Sequence, residues 1–245
     1  MITDSRKDPM GRAMLDYYNG NLEAEIKVFS NVAEDDVISA AYLFRGSEGM
    51  PAWERRALDA CEGKVLDIGA GAGSHVLALE ARGHEVVGLD ISPGAVAVMK
   101  KRGVRKAVHG DIWTYREEKF DTLLLLMNGI GLVGDISGLR RFLRMAPDLL
   151  HEGGQVIMDS SDIAYLFPHN ENAFQLLLHP EYYGIVNYQM KYKGAKSRSF
   201  DWLYIDFGQL RKIAEAEEYE IEKLIDGNHF QYLARLRPLP KPNTY

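Results

Sequence analysis

VLDIGAGAG, Val65 to Gly73, sets an aspartate just ahead of three glycines spaced two apart. Val65–Ile68 reads as a short apolar strand, and Ser74–Arg82 behind it as a helix that Gly83 stops, a residue suited to the left-handed backbone past a helix end. A strand, a turn nearly free of side chains and a helix together let a ligand approach the backbone closely.

The alternation continues outward from this unit. Glu85–Ile91 reads as the next strand, and Ser92-Pro93 as an N-cap and first-turn proline of a helix closed by Gly103. Lys106–Ile112, Phe120–Met127 and Gln155–Asp159 read as three further strands, with a helix from Ile136 to His151 before Gly153-Gly154. Strands separated by helices of this length imply parallel pairing with right-handed crossovers. The apolar run Leu123–Leu126 suits a central strand buried on both faces.

Upstream, residues 1–60 read as a helical, acidic segment, with loose helical spacing over Leu15–Phe29 and a helix opened by Pro51 and running to about Cys61. Residues 61–165 form the α/β core. After Ser161 the alternation breaks, and residues 166–206 read as an insert carrying a hairpin, Val186–Lys193 and Ser199–Ile205 around Lys193-Gly194-Ala195-Lys196. In Val186–Lys193 one face reads Val186, Tyr188, Met190, Tyr192 and the other Asn187, Gln189, Lys191, Lys193, the period of a half-buried strand. Residues 207–245 supply a helix, Gly208–Glu217, an antiparallel pair, Tyr219–Ile225 and Phe230–Leu236, joined through Gly227-Asn228, and a proline-rich coil from Pro238.

Composition narrows the function classes. A chain of 245 residues, 46% hydrophobic, can bury one sizeable core. A net charge of −6 argues against a nucleic-acid backbone as the main partner. One cysteine, Cys61, excludes an internal disulfide framework and a paired-thiolate metal site, and no metal is expected. The charged start MITDSRKDPMGR has no apolar signal region, and the longest apolar run, Leu123–Met127, is too short to span a bilayer. The expectation is a cytoplasmic protein with no membrane partner; the residues leave the oligomeric state open.

Two ligands compete for the glycine turn, a dinucleotide and an adenosyl sulfonium. The dinucleotide pattern G-x-G-x-x-G/A, started at Gly69, meets Ser74 where its last Gly or Ala belongs, a mild mismatch. Asp67 weighs more, because a carboxylate beside a pyrophosphate would repel it, whereas a ligand carrying an ammonium and a sulfonium would be attracted. Further polar residues follow at successive strand ends. Asp90 can accept hydrogen bonds from both hydroxyls of a ribose. Asp111, in Gly110-Asp111-Ile112, can accept from an adenine amino group, and Asn128-Gly129 ends the fourth strand at the crevice of an open α/β sheet.

This ordered set resembles the class I S-adenosylmethionine (SAM)-dependent methyltransferases over roughly Lys64–Asp162 and the C-terminal strand pair. The resemblance implies an α/β, doubly wound, mostly parallel seven-stranded sheet of order 3-2-1-4-5-7-6, its last strand antiparallel. It implies that Asp67, Gly69, Ala70, Gly71 and Gly73 hold the methionine part of SAM. Asp90 with Ile91 would hold the ribose, and Gly110, Asp111 and Ile112 the adenine, with Asn128 beside them. Arg45 is a candidate for a bidentate bond to the methionine carboxylate.

The implied reaction is methyl transfer to an oxygen or nitrogen of a small-molecule acceptor, leaving S-adenosylhomocysteine (SAH). The alternatives are a protein side-chain acceptor and a non-catalytic SAM-binding partner or sensor. Asn128-Gly129-Ile130-Gly131 stands where nucleobase amino-methyltransferases carry Asp/Asn-Pro-Pro-aromatic, and Cys61 lies upstream of where a cytosine C5 enzyme needs its nucleophile. No general base stands out. His75 reads as a half-exposed helix residue, His109 as a strand-end residue, and His169 lies in the insert where substrate groups are expected. Asp159 and Asp162 read as cap or loop residues. The hairpin reads either as core packing or as a lid whose aromatics line the acceptor pocket.

Overall fold

In a computed structural model, the structure describes residues 2, 4–167, 182–227 and 230–240. His169, Asn228 of the expected Gly227-Asn228 connection and residues 241–245 of the expected proline-rich coil fall outside these residues.

The larger sheet has seven strands: β3 (Val65–Ile68), β4 (Val86–Asp90), β5 (Ala107–His109), β6 (Phe120–Leu125), β7 (Leu150–Ser161), β11 (Tyr219–Asp226) and β12 (Gln231–Pro238). Their order is β5-β4-β3-β6-β7-β12-β11, and β12 alone runs antiparallel to both its neighbours. That is the order and sense the resemblance implies.

Side chains alternate across this sheet. Leu66, Ile68, Leu123 and Leu125 pack with Leu139, Phe142 and Leu143 of α6 (Ile136–Leu149) and Leu210 and Ile213 of α7 (Phe207–Ala216). Val65, Leu124, Leu126 and Ile157 face the other way, onto α3 (Ala52–Asp59), α4 (Ser74–Ala81) and α5 (Pro93–Lys101). Because the period is two, Asp67 shares the face of Val65, and Asp159 that of Ile157. Both acids therefore point to the side where α3 and α4 lie.

Residues 1–60 depart from the helical expectation. The helix α1 (Pro9–Tyr18) stops at Asn19, where Gly20 takes φ +105°, and the chain then forms β1 (Glu25–Ser30) and β2 (Asp36–Ser39) before a single turn, α2 (Ala40–Leu43). The Glu25-Ile26-Lys27-Val28 run is strictly alternating, exposed then buried, which is strand chemistry. A left-handed glycine ends the helical run that the apolar spacing alone would extend.

The hairpin strands β8 (Ile185–Tyr192) and β10 (Phe200–Leu203) pair with these N-terminal strands in a second, antiparallel sheet of order β10-β8-β1-β2, with the short β9 (Ala195–Lys196) on β8. The insert is thus half of a sheet whose other half lies near the start of the chain.

A buried aspartate fixes this layer to the core. Asp8 Oδ1 accepts from Gly11 N–H (2.9 Å), while its Oδ2 accepts from Ser92 Oγ (2.7 Å) and Gly94 N–H (3.1 Å), capping α1 and α5 together. The two helices touch backbone to backbone, so that a Cβ on Gly94 would lie 2.6 Å from Gly11. Among the described residues, no helix is long and apolar enough to cross a membrane.

Candidate active site

The glycine turn depends on backbone that side chains disfavour. Gly69, Gly71 and Gly73 take φ of +77°, +55° and +80°. A Cβ on Gly69 would meet nothing within 4 Å, whereas one on Gly73 would press on Met99 Cγ at 2.9 Å. Gly69 therefore leaves open space in front of the turn, and Gly73 lets α4 close on α5. The N–H groups of Gly69 and Ala70 both donate to Leu89 O (2.8 and 3.1 Å), which ties the turn to β4.

The segment after α2 reaches this turn. Ser74 Oγ donates to Leu43 O (2.7 Å), and Arg102 donates to Ala72 O (2.6 Å) with its guanidinium 4.9 Å from the Phe44 ring centroid. Arg45 follows directly. Together Arg45, Asp67, Gly69, Ala70, Gly71 and His75 line one cleft, closed at its far side by Leu126 and Met127.

Two of these lining residues each carry a buried atom with no hydrogen-bond partner. Among the described residues, Asp67 Oδ2 and Arg45 Nε are the buried side-chain polar atoms left unsatisfied. Arg45 is otherwise committed: Nη1 donates to Tyr42 O (2.6 Å), Nη2 pairs with Glu54 Oε1, and the guanidinium stacks 4.0 Å over the Tyr42 ring. Each terminal nitrogen thus gives one of its two N–H donors to the protein and keeps the other, while Nε has no partner. Asp67 is 2% exposed, and burial pushes its carboxyl up to about 6, with Asp90 and Glu54 adding to the rise and His75 opposing it.

Asp90 stands at the end of β4 beside the turn. Its Oδ2 accepts from Gly71 N–H and its Oδ1 from Ser92 N–H, each at 2.8 Å. Burial raises this carboxyl to about 6 against those two donors. Each oxygen keeps a second lone pair for a ligand.

The remaining expected residues follow the ends of β4, β5 and β6 and are not part of that cleft's lining. Ile91 is exposed just past Asp90. Gly110 and Asp111 follow β5, where Asp111 Oδ1 accepts from Trp113 N–H (3.0 Å), while Ile112 is buried in the core and presents little surface to a ligand. Asn128 follows β6 with Met127, both in left-handed backbone (φ +54° and +63°). Its N–H donates to Asp159 Oδ1 (2.8 Å), and its side-chain oxygen accepts from Ser161 Oγ (3.0 Å).

Two readings of single residues change, and a third residue joins the site. His75 is buried, not half-exposed, and its Nε2 lies 2.9 Å from Glu54 Oε2. Asp159 is 4% exposed inside the sheet edge rather than in a loop, and it anchors the Met127–Asn128 turn; burial pushes its carboxyl to about 7. Glu54, 1% exposed and unremarked in the sequence, joins Arg45 to His75. It had a signal: Glu54, Ala57 and Leu58 share the buried stripe of α3, so a carboxylate sits where an apolar residue belongs. By contrast, His109 is a strand-end residue, its Nε2 3.0 Å from Ile91 O, and Asp162 caps the turn at Ala164 N–H (2.9 Å).

Residues 66–158 match a methyltransferase domain family. The crystal structure of a SAM-dependent methyltransferase from Bacteroides fragilis in complex with S-adenosyl-L-homocysteine superposes with a TM-score of 0.89 at 41% identity, covering 98% of this chain and 98% of that one. The chain belongs to the SAM-dependent methyltransferase family. Within this methyltransferase family, a demethylmenaquinone methyltransferase of Tropheryma whipplei (strain Twist) is 28% identical over 101 residues, 39% of this chain. The chain spans 40% of the length of the curated relatives it matches. The CcbJ methyltransferase of Streptomyces caelestis shares the fold, with a TM-score of 0.62 at 14% identity over 96% of this chain and 99% of that one.

Proposed function

We propose that the protein binds SAM in this cleft and transfers its methyl group to an oxygen or nitrogen of a small molecule. The observation that carries the reading is the pair of unsatisfied atoms, one acceptor on Asp67 and one donor on Arg45, on two residues that line a single cleft. An amino-acid zwitterion satisfies both: its ammonium meets the carboxylate, its carboxylate meets Nε. The open space before Gly69 admits the chain that joins them. A pyrophosphate offers Asp67 no donor and brings negative charge to a carboxylate that burial already strains.

Asp90 has lone pairs for a ribose diol, and Gly110, Asp111 and the exposed Ile91 border the adenine end, with Asn128 beside the reacting centre. Ile112 contributes from the core behind them. When bound, SAM supplies an electrophilic methyl whose thioether leaving group needs no proton. The chain's task is then alignment, which can supply roughly 7–11 kcal/mol of a barrier without a fixed acid or base.

The second sheet serves as the acceptor-side cover in this proposal. Trp202 of β10 packs on Gly131, in the turn after β6, so closely that a Cβ there would overlap its indole nitrogen. Phe200 and Tyr188 continue the aromatic row, at centroid separations of 6.1 and 6.2 Å. The test is turnover of SAM against a panel of small hydroxyl and amine acceptors, with SAH release measured. Acceptor-dependent SAH release supports the reading. Tight SAM binding with no turnover on any acceptor, small or protein, points to a binding or sensor role instead.

A further inference from the structure

We infer that Glu54 is a positioning residue that keeps His75 cationic, so that His75 and Arg45 together form a two-cation wall of the cleft facing the carboxylate of the bound amino-acid moiety. The inference rests on the proposed SAM site and extends it to two residues outside the glycine motif.

The geometry is specific. Glu54 arrives on α3, outside the strand–turn–helix unit of β3 and α4, and divides its oxygens between two partners that both line the cleft: Oε1 to Arg45 Nη2, Oε2 to His75 Nε2 at 2.9 Å. The Arg45, Glu54 and His75 side chains are 8%, 2% and 9% exposed. A buried ion cluster of this kind seldom exceeds apolar packing in stability, so its place beside an unsatisfied Arg45 Nε and an unsatisfied Asp67 Oδ2 points to a ligand rather than to the fold. Counting charges, Arg45 and a cationic His75 against Glu54 and Asp67 leaves the cleft balanced for a zwitterion, with the positive pair at one end.

Every charged group facing the imidazole bears on its state. Burial opposes its protonation, as does Arg45; Glu54 and Asp67 favour it and prevail, raising the imidazole above its usual range. Asp159, on β7, also faces it. The imidazole's share of the affinity for a carboxylate is then present while His75 is charged and is lost as pH rises through its elevated value.

The experiment pairs calorimetric titration of the full chain with SAH, across pH 6–9, with the imidazole NMR signals of His75 in the free protein. In the wild type, His75 is expected to remain cationic at pH 7.5, and on the alkaline side SAH affinity is expected to fall only as His75 loses its proton. Glu54→Gln should turn His75 neutral at pH 7.5, lower SAH affinity about tenfold or more at that pH, and move the fall to lower pH. His75→Gln should abolish that upper limb while leaving Glu54 a hydrogen-bond partner. The wild-type NMR titration holds even where Glu54→Gln fails to fold. A neutral His75 at pH 7.5 in the wild type overturns the inference, as does SAH binding whose pH dependence Glu54→Gln and His75→Gln leave unchanged. A wild-type chain with a cationic His75 that binds no SAH overturns the SAM reading itself.

Discussion

Asp67 shows how a site residue can cost the fold something. Burial raises its carboxyl to about 6 from an ordinary 3.8, so the folded chain favours the neutral form. Ionisation then destabilises the ligand-free protein. The effect is absent below about pH 4, where folded and unfolded chains are both protonated; it grows through the interval and is complete above about 6. Two pKa units correspond to roughly 3 kcal/mol. Asp67→Asn, which keeps the shape and removes the charge, is therefore expected to raise the thermal midpoint at pH 7.5 by several degrees while weakening SAH binding by about 10- to 100-fold. Thermal unfolding and calorimetry on the same sample check both; a variant that loses stability and keeps its affinity contradicts the assignment. Asp90, also near 6, makes the companion case. SAH affinity should decline as pH drops from 7 to 5, where both carboxylates take up protons and cease to be pure acceptors, and an affinity flat over that range would remove the two acids from the site. The acids were legible in the sequence because each ends an apolar strand. Asp159, which ends Val156-Ile157-Met158, carried the same signal and is equally buried. His75 was harder to read, since helical spacing does not say that α4 is covered on nearly all sides, with Ser74, Val76, Ala78 and Leu79 buried around it.

Among the elements, the parallel core was readable because its signals are local: apolar runs of strand length, a proline or serine at helix starts, a glycine after helix ends. The second sheet was not, because β1 pairs with β8 across some 160 residues and neither strand alone names its partner. What joins the layers is open to test. Gly94→Ala places a Cβ 2.6 Å from the Gly11 backbone, and since neither helix can yield without breaking the Asp8 cap, a loss of about 1–3 kcal/mol is expected in chemical denaturation. A variant as stable as the parent would mean that α1 is only loosely seated. The cover role of β10 has its own readout. Trp202→Ala empties the contact over Gly131 without touching the glycine turn, so SAH affinity should change by less than about threefold while acceptor turnover falls at least about tenfold. Equal loss of both, or of neither, contradicts the proposed cover.

Over the whole molecule, the proposed function divides cofactor recognition and acceptor recognition between the two sheets. The seven-stranded sheet brings Asp67, Asp90 and the glycine turn to one edge, and the N-terminal segment delivers Arg45 to the cleft there, with Glu54 bonded to Arg45 and His75 of its lining. The antiparallel sheet, built from the two segments of lowest local signal, lies over the turn after β6. The claim on which the rest depends is that this cleft takes an amino-acid zwitterion joined to adenosine and not a dinucleotide. The direct measurement is parallel calorimetry of the full chain with SAH, SAM and NAD at pH 7.5. The account predicts saturable binding of SAH and SAM, each displacing the other, with no heat of binding from NAD. Saturable NAD binding that SAH cannot displace, or silence from both sulfur ligands, would contradict it.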